Sequence, residues 1–188
     1  MRLFISFNFN DETAARISHS AAALKKLTKG GVYPPAGNYH MTLAFLGECE
    51  RGRVKDVEKA MKAAAAASAP FDVTIGGVGC FRRQSGDVVF VKADGGEILG
   101  KFHDDLCEAL EAKGFILPDD EKRRDFRPHI TLCRDAEVSD EILEKIPAEP
   151  IIYQAERISL MLSARVHGRM RYTELSGVKL GCGPILPA

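Results

Sequence analysis

The chain of 188 residues has no tryptophan, and aromatic residues make up only 7% of it. No apolar run approaches the length that spans a bilayer. The start, Met1-Arg2-Leu3-Phe4-Ile5-Ser6-Phe7-Asn8-Phe9, is too short and too alternating for a signal peptide. A soluble, cytoplasmic protein with no membrane association is expected. Net charge is lacking too, since 26 Lys+Arg balance 26 Asp+Glu. That balance argues against coating of long nucleic acid through a general basic field, but not against recognition of one phosphate by a few placed cations. The cysteines Cys49, Cys80, Cys107, Cys133 and Cys182 are odd in number and contain no C-x-x-C pair. A disulfide framework or zinc ribbon needs close pairs, so reduced and partly buried thiols are expected.

What is present is a 45% hydrophobic chain, enough for one domain with a substantial core or two small lobes sharing one. Leu3, Ile5, Phe7 and Phe9 alternate with Phe4, Ser6 and Asn8, the period of a half-buried strand. Asn10 or Asp11 caps a helix with the stripe Ala14, Ile17, Ala21 and Leu24, stopped by Gly30-Gly31. A rigid turn, Tyr33-Pro34-Pro35-Ala36-Gly37, leads into a strand over 40–46. Val54, Val57, Met61, Ala64 and Ala65 mark a second helix; Phe71, Val73 and Ile75 mark a strand with a bulge or close backbone approach at Gly76-Gly77. A hairpin turn at Ser85-Gly86 precedes a strand over 87–91. Leu99, Phe102, Leu106 and Leu110 mark a third helix ended by Gly114, and 118–125 is a charged loop. Strands over 129–133, 158–162 and 169–175 and a short helix over 139–146 follow. The fold class is α+β with mainly antiparallel sheets.

One pattern occurs twice: His40-Met41-Thr42-Leu43 and His129-Ile130-Thr131-Leu132. Each follows a proline-bearing turn and opens a strand, as in a duplicated half-domain whose copies face each other across a cleft. Residues i and i+2 of a strand share a face. His40 and Thr42 are therefore expected on one face, with Met41, Leu43 and Phe45 on the other; His129 and Thr131 likewise oppose Ile130 and Leu132. Cys133 falls on the His129 face in this count and is read as packing.

Two imidazoles and two hydroxyls in one cleft suit attack on a phosphodiester. One neutral histidine takes a proton from water while a protonated one gives a proton to the leaving oxygen. The threonine hydroxyls donate to the non-bridging oxygens. No metal is needed, and the helical i, i+4 ligand pair of a metallohydrolase is absent. A single His-x-Thr is ordinarily a polar strand edge; two with the same face arithmetic point to function. His19 and His103 are expected at the surface, and His167 in a hairpin turn. Arg165, His167, Arg169 and Arg171, with Arg82-Arg83 and Lys122-Arg123-Arg124, are either solvated charge or a means of steering RNA.

These motifs and their surroundings, Arg2-Leu3-Phe4-Ile5, Asn38-Tyr39-His40 through Glu48, Phe126-Arg127-Pro128-His129 through Arg134, and Gly168-Arg169-Met170-Arg171-Tyr172, resemble the 2H phosphoesterase superfamily. Within it the chain is most similar to the RNA 2′,3′-cyclic phosphodiesterase branch, LigT-like and historically called 2′-5′ RNA ligase. The resemblance covers nearly the whole chain. It implies one domain over 1–188 made of two interleaved lobes, with an active cleft between two antiparallel sheets related by pseudo-two-fold symmetry. By motif match His40 would be the proton donor to the leaving 3′ oxygen and His129 the acceptor that activates water, giving a 2′-phosphomonoester. Thr42 and Thr131 would bind the phosphate, and Arg134 would add charge-assisted bonds. The family often carries a tryptophan or other large aromatic before the first motif and near Phe90. Here Tyr33, Tyr39 and Phe90 stand in, and Phe45 is a further candidate substrate contact. RNA termini or small cyclic nucleotides are the implied partners, with no cofactor and no obligate protein partner. Ligation by the reverse chemistry and a non-catalytic RNA-end binding module are the alternatives.

Overall fold

Apolar alternation at the N-terminus forms β1 (Arg2–Asn8), with Leu3, Ile5 and Phe7 fully buried in the computed structural model. The structure describes residues 1–118 and 126–181; Lys122-Arg123-Arg124, most of the predicted charged loop and Cys182 lie outside them. Asn10 caps α1 (Asp11–Leu27), its side chain accepting from the Thr13 N–H at 2.9 Å. The predicted stripe Ala14, Ile17, Ala21 and Leu24 is buried. The helix stops before the glycine pair: Thr28 turns both its N–H and its hydroxyl onto the Leu24 carbonyl. Gly30 and Gly31 belong instead to a short edge strand, β2 (Gly30–Val32), whose pairing with a distant strand no local pattern announces.

The chain continues through β3 (His40–Glu48), α2 (Val54–Ala66), β4 (Phe71–Phe81), β5 (Asp87–Asp94) and α3 (Gly96–Glu111). It then forms β6 (His129–Ala136), α4 (Asp140–Glu144), β7 (Ile151–Ala155), β8 (Arg157–Val166) and β9 (Arg169–Lys179). β7 was not expected; its five residues become a strand by pairing with β4. One sheet has the order β3-β1-β8-β9 and the other β2-β6-β5-β4-β7, with antiparallel neighbours throughout. Without β2 the two orders correspond, β3 to β6 and β1 to β5, which gives the pseudo-two-fold relation. α1 packs on β6, α2 on β8 and β9, and α3 on β3 and β4. Among the described residues no helix is long and apolar enough to cross a membrane.

Both His-x-Thr strands carry a bulge at the same place. In β3, Ser6 pairs with Thr42 but Ile5 with Ala44, so Leu43 is the extra residue. In β6, Phe90 pairs with Thr131 but Val89 with Cys133, so Leu132 is the extra residue. Each bulge reverses the side-chain alternation beyond it. Leu43 and Ala44 are both buried, as are Leu132 and Cys133. Two corrections follow. Phe45, expected on the core face with Met41 and Leu43, stands opposite Phe4 and shares that ring's face. Cys133, expected beside His129, is turned fully into the core. A bulge is invisible in a two-residue periodicity because it is a property of the strand pair.

Candidate active site between the two sheets

β3 and β6 approach each other where the sheets meet, with Cα atoms within 8 Å, and the two histidines open these strands. The rings are held alike. His40 Nδ1 lies 2.7 Å from the Asn38 carbonyl, and His129 Nδ1 lies 2.7 Å from the Arg127 carbonyl. A carbonyl only accepts, so Nδ1 carries the hydrogen in each ring and Nε2 is the nitrogen left for chemistry. The turn residues set these carbonyls. Asn38 ends a 3-10 turn (Ala36–Asn38) behind the proline pair, and Arg127 precedes Pro128, which favours an extended backbone there.

Each imidazole is walled by two aromatic rings. His40 lies 4.8 Å from Phe4 and 5.1 Å from Tyr172, centroid to centroid; His129 lies 5.1 Å from both Phe81 and Phe90. Burial, against the opposing hydrogen bond to Asn38 and aided by the charges of Arg134 and His129, therefore brings the pKa of His40 down to about 4. His129 is lowered from the ordinary range, again chiefly by burial, with Arg134 and Arg83 adding to it. Arg134 thus lies within electrostatic reach of both rings, on the position of β6 that corresponds to Phe45 of β3. Desolvation thus disfavours the charged form of both imidazoles.

The His40 shift has a consequence for stability. Its folded-state pKa is depressed below the unfolded value of about 6.5, so between the two values the unfolded chain binds the proton and the native state does not. This contribution is present above about pH 6.5 and declines as pH falls toward 4. Urea unfolding of His40→Gln is expected to show a loss between pH 7 and 4 that is smaller than that of the parent by ~2 kcal/mol.

A family model described as "2'-5' RNA ligase superfamily" matches residues 11–167. The chain belongs to this superfamily. A Geobacillus stearothermophilus protein named RNA 2′,3′-cyclic phosphodiesterase is 35% identical over 130 residues, which is 65% of this chain and 40% of that protein's length. A Thermotoga maritima protein of the same name is 28% identical over 167 residues, 87% of each chain. E. coli LigT crystallised with 3′-AMP superposes with a TM-score of 0.73 at 28% identity, covering 95% of this chain and 96% of LigT.

In this superfamily member the structure brings His40, Thr42, His129 and Thr131 to the cleft, and all four are partly exposed. Ser6 stands opposite Thr42 and Asn8 opposite His40; Phe90 stands opposite Thr131 and Lys92 opposite His129. Tyr39 does not join them. It is only 7% exposed and belongs to the core, so it offers no face on which a base could stack. Tyr33 is tied at the back of β2, its hydroxyl 2.7 Å from that of Thr28. Phe90 is only 8% exposed, packed between Phe81 and His129 as a wall of the imidazole pocket. Phe45 is the more open ring, with the Arg2 guanidinium 4.9 Å from its centroid.

Sequence reasoning missed Phe4, Phe81 and Lys92, which reach the cleft only through cross-strand pairing. It also misplaced His103. That ring is fully buried on α3, stacked on Phe126 at 3.8 Å, with Nε2 3.5 Å from Cys107 Sγ. The stack braces the segment that enters β6. The C-terminal basic ribbon is split by the pleat: Arg165 pairs with Met170 on the Tyr172 face, whereas Arg169 and Arg171 alternate onto the other. Arg82 is bound to Asp87, Asp140 and the Val138 carbonyl, a brace between β4 and the start of α4. Among the described residues no three His, Cys, Asp or Glu side chains form a group that could hold a metal.

Proposed function

We propose that the protein opens 2′,3′-cyclic phosphates at RNA ends or on small cyclic nucleotides, giving 2′-phosphomonoesters by two-histidine acid–base catalysis without a metal. The observation that carries this reading is the pair of imidazoles on β3 and β6, each fixed through Nδ1 and each presenting Nε2. His129 Nε2 takes a proton from water as the water oxygen bonds to phosphorus. His40, protonated when the anionic phosphate enters, gives its proton to the 3′ oxygen as that P–O bond breaks. A buried imidazolium of low pKa is a strong donor to a leaving alkoxide, and proton exchange with solvent restores both rings. Thr42, Thr131 and Arg134 bind the non-bridging oxygens where charge is held in the transition state. Phe45, more open than Phe90 or Tyr39, stacks the terminal base in this reading.

Turnover of 2′,3′-cyclic and 3′,5′-cyclic nucleotides in excess chelator, with product regiochemistry read by phosphorus NMR, tests this. The expected result is the 2′-monoester from the 2′,3′-cyclic substrate alone, at an undiminished rate. Loss of activity on chelation, or a 3′-monoester, overturns it. Ligation uses the same groups with an RNA 5′ hydroxyl in place of water; a labelled cyclic-phosphate RNA is expected to yield hydrolysed product in excess over joined product. Tight binding with no turnover at any pH would instead indicate an RNA-end binding module.

A further inference from the structure

β4 carries a run of glycines beside Lys92, and at Gly76 the close approach is taken up by the Ala148–Pro150 backbone, with Pro150 Cα 3.1 Å from where a Cβ would lie. Across from Lys92, β4 has no side chain at all: Ile75 pairs with Ala93 and Val78 with Val91, so a bulge of Gly76 and Gly77 faces Lys92. Gly77 has φ +69°, a conformation that favours glycine. Gly79 comes next opposite Phe90, and a Cβ there would lie 2.5 Å from Phe90 Cε2 and 3.3 Å from Lys92 Cε. The Phe90 ring and the Lys92 stem therefore lie over glycine backbone. On its other side β5 pairs with β6, where Lys92 stands directly opposite His129. Lys92 is exposed and has no ion-pair partner among the described residues. Asp94, the next acid on its face, is turned onto the Gly96 N–H at 2.8 Å.

The cations near His129 thus divide. Arg134 and Arg83 act on the imidazole itself, whereas Lys92 stands on the neighbouring strand with its stem laid along Gly77 and Gly79 and its residue exposed. An RNA strand ending at the catalytic pair carries its next phosphodiester one nucleotide away on the 5′ side, and an exposed cation one strand over from His129 is the group to meet it. Resting on the reading above, we propose that Lys92 anchors the phosphodiester 5′ to the reacting cyclic phosphate, so that RNA ends are taken in preference to cyclic mononucleotides.

The test compares a dinucleotide ending in a 2′,3′-cyclic phosphate with the matching 2′,3′-cyclic mononucleotide, in the full-length parent and in Lys92→Met, which keeps the stem and removes the charge. The ratio of kcat/KM, dinucleotide over mononucleotide, is expected to fall about tenfold in the variant, the size of a lost charge-assisted contact. The salt dependence for the dinucleotide should weaken by about 0.7 in the log–log slope, one phosphate contact on a single strand. A dinucleotide whose internal linkage is an uncharged methylphosphonate should lose the same factor in the parent and nothing further in the variant. Lys92→Arg should recover most of the ratio. An unchanged ratio overturns the inference, as does an equal loss on both substrates, which would place Lys92 at the reacting phosphate. A parent inactive on both substrates overturns the phosphodiesterase reading itself, and so is a separate outcome.

Discussion

Replacing either His40 or His129 by alanine is expected to lower kcat on a 2′,3′-cyclic nucleotide by about 10²–10⁴-fold while leaving the fold intact. Among the described residues each ring makes one hydrogen bond, to the carbonyl two residues before it, and is partly open to the cleft. The strand beneath is anchored by other residues: Met41 and Leu43 in β3, Ile130 and Leu132 in β6, all essentially unexposed. Circular dichroism and the urea midpoint at pH 7 should therefore change little. The two losses should not add, because removing one member of a coupled acid–base pair leaves the other without a partner. A double variant should be only slightly slower than the worse single one. Full turnover in either single variant would remove the basis of the mechanism.

Arg134→Met is expected to cost about 10–100-fold in kcat/KM, the loss of charge-assisted bonds to an anionic centre. It carries a second signature that a general packing defect would not produce. The Arg134 charge lowers both imidazoles, so its removal lets each protonate at higher pH. On the proposed mechanism, the acid limb of the kcat/KM profile, where His129 must be neutral, then moves up. The alkaline limb, where His40 must be protonated, moves up with it, and the optimum shifts to higher pH as a whole. Arg134→Lys should hold the pH profile near that of the parent while recovering only part of the rate, because an ammonium supplies charge without the planar fork. A rate loss with an unmoved profile would show that Arg134 does not act on the histidines.

The equivalence of Arg134 and Phe45 gives the cleft its asymmetry. Both occupy the third position after His-x-Thr, and a one-residue bulge returns each to the cleft face. The same backbone device thus presents a cation in one half and an aromatic ring in the other. On the proposed reading, charge is held on the β6 side and the base is stacked on the β3 side.

Much of this protein is written locally. The paired His-x-Thr strands, the Asn10 cap, the apolar stripes of the three longer helices and the α+β class follow from periodicity and turn chemistry, which act over a few residues. The tertiary structure alone decided what depends on a second strand. It paired Lys92 with His129, put Phe4 and Tyr172 around His40, turned Cys133 inward and Arg134 outward, and covered His103 with Phe126. The reason is physical: a bulge, a cross-strand neighbour and a buried stack each arise between segments distant in sequence, so no single segment carries their signal.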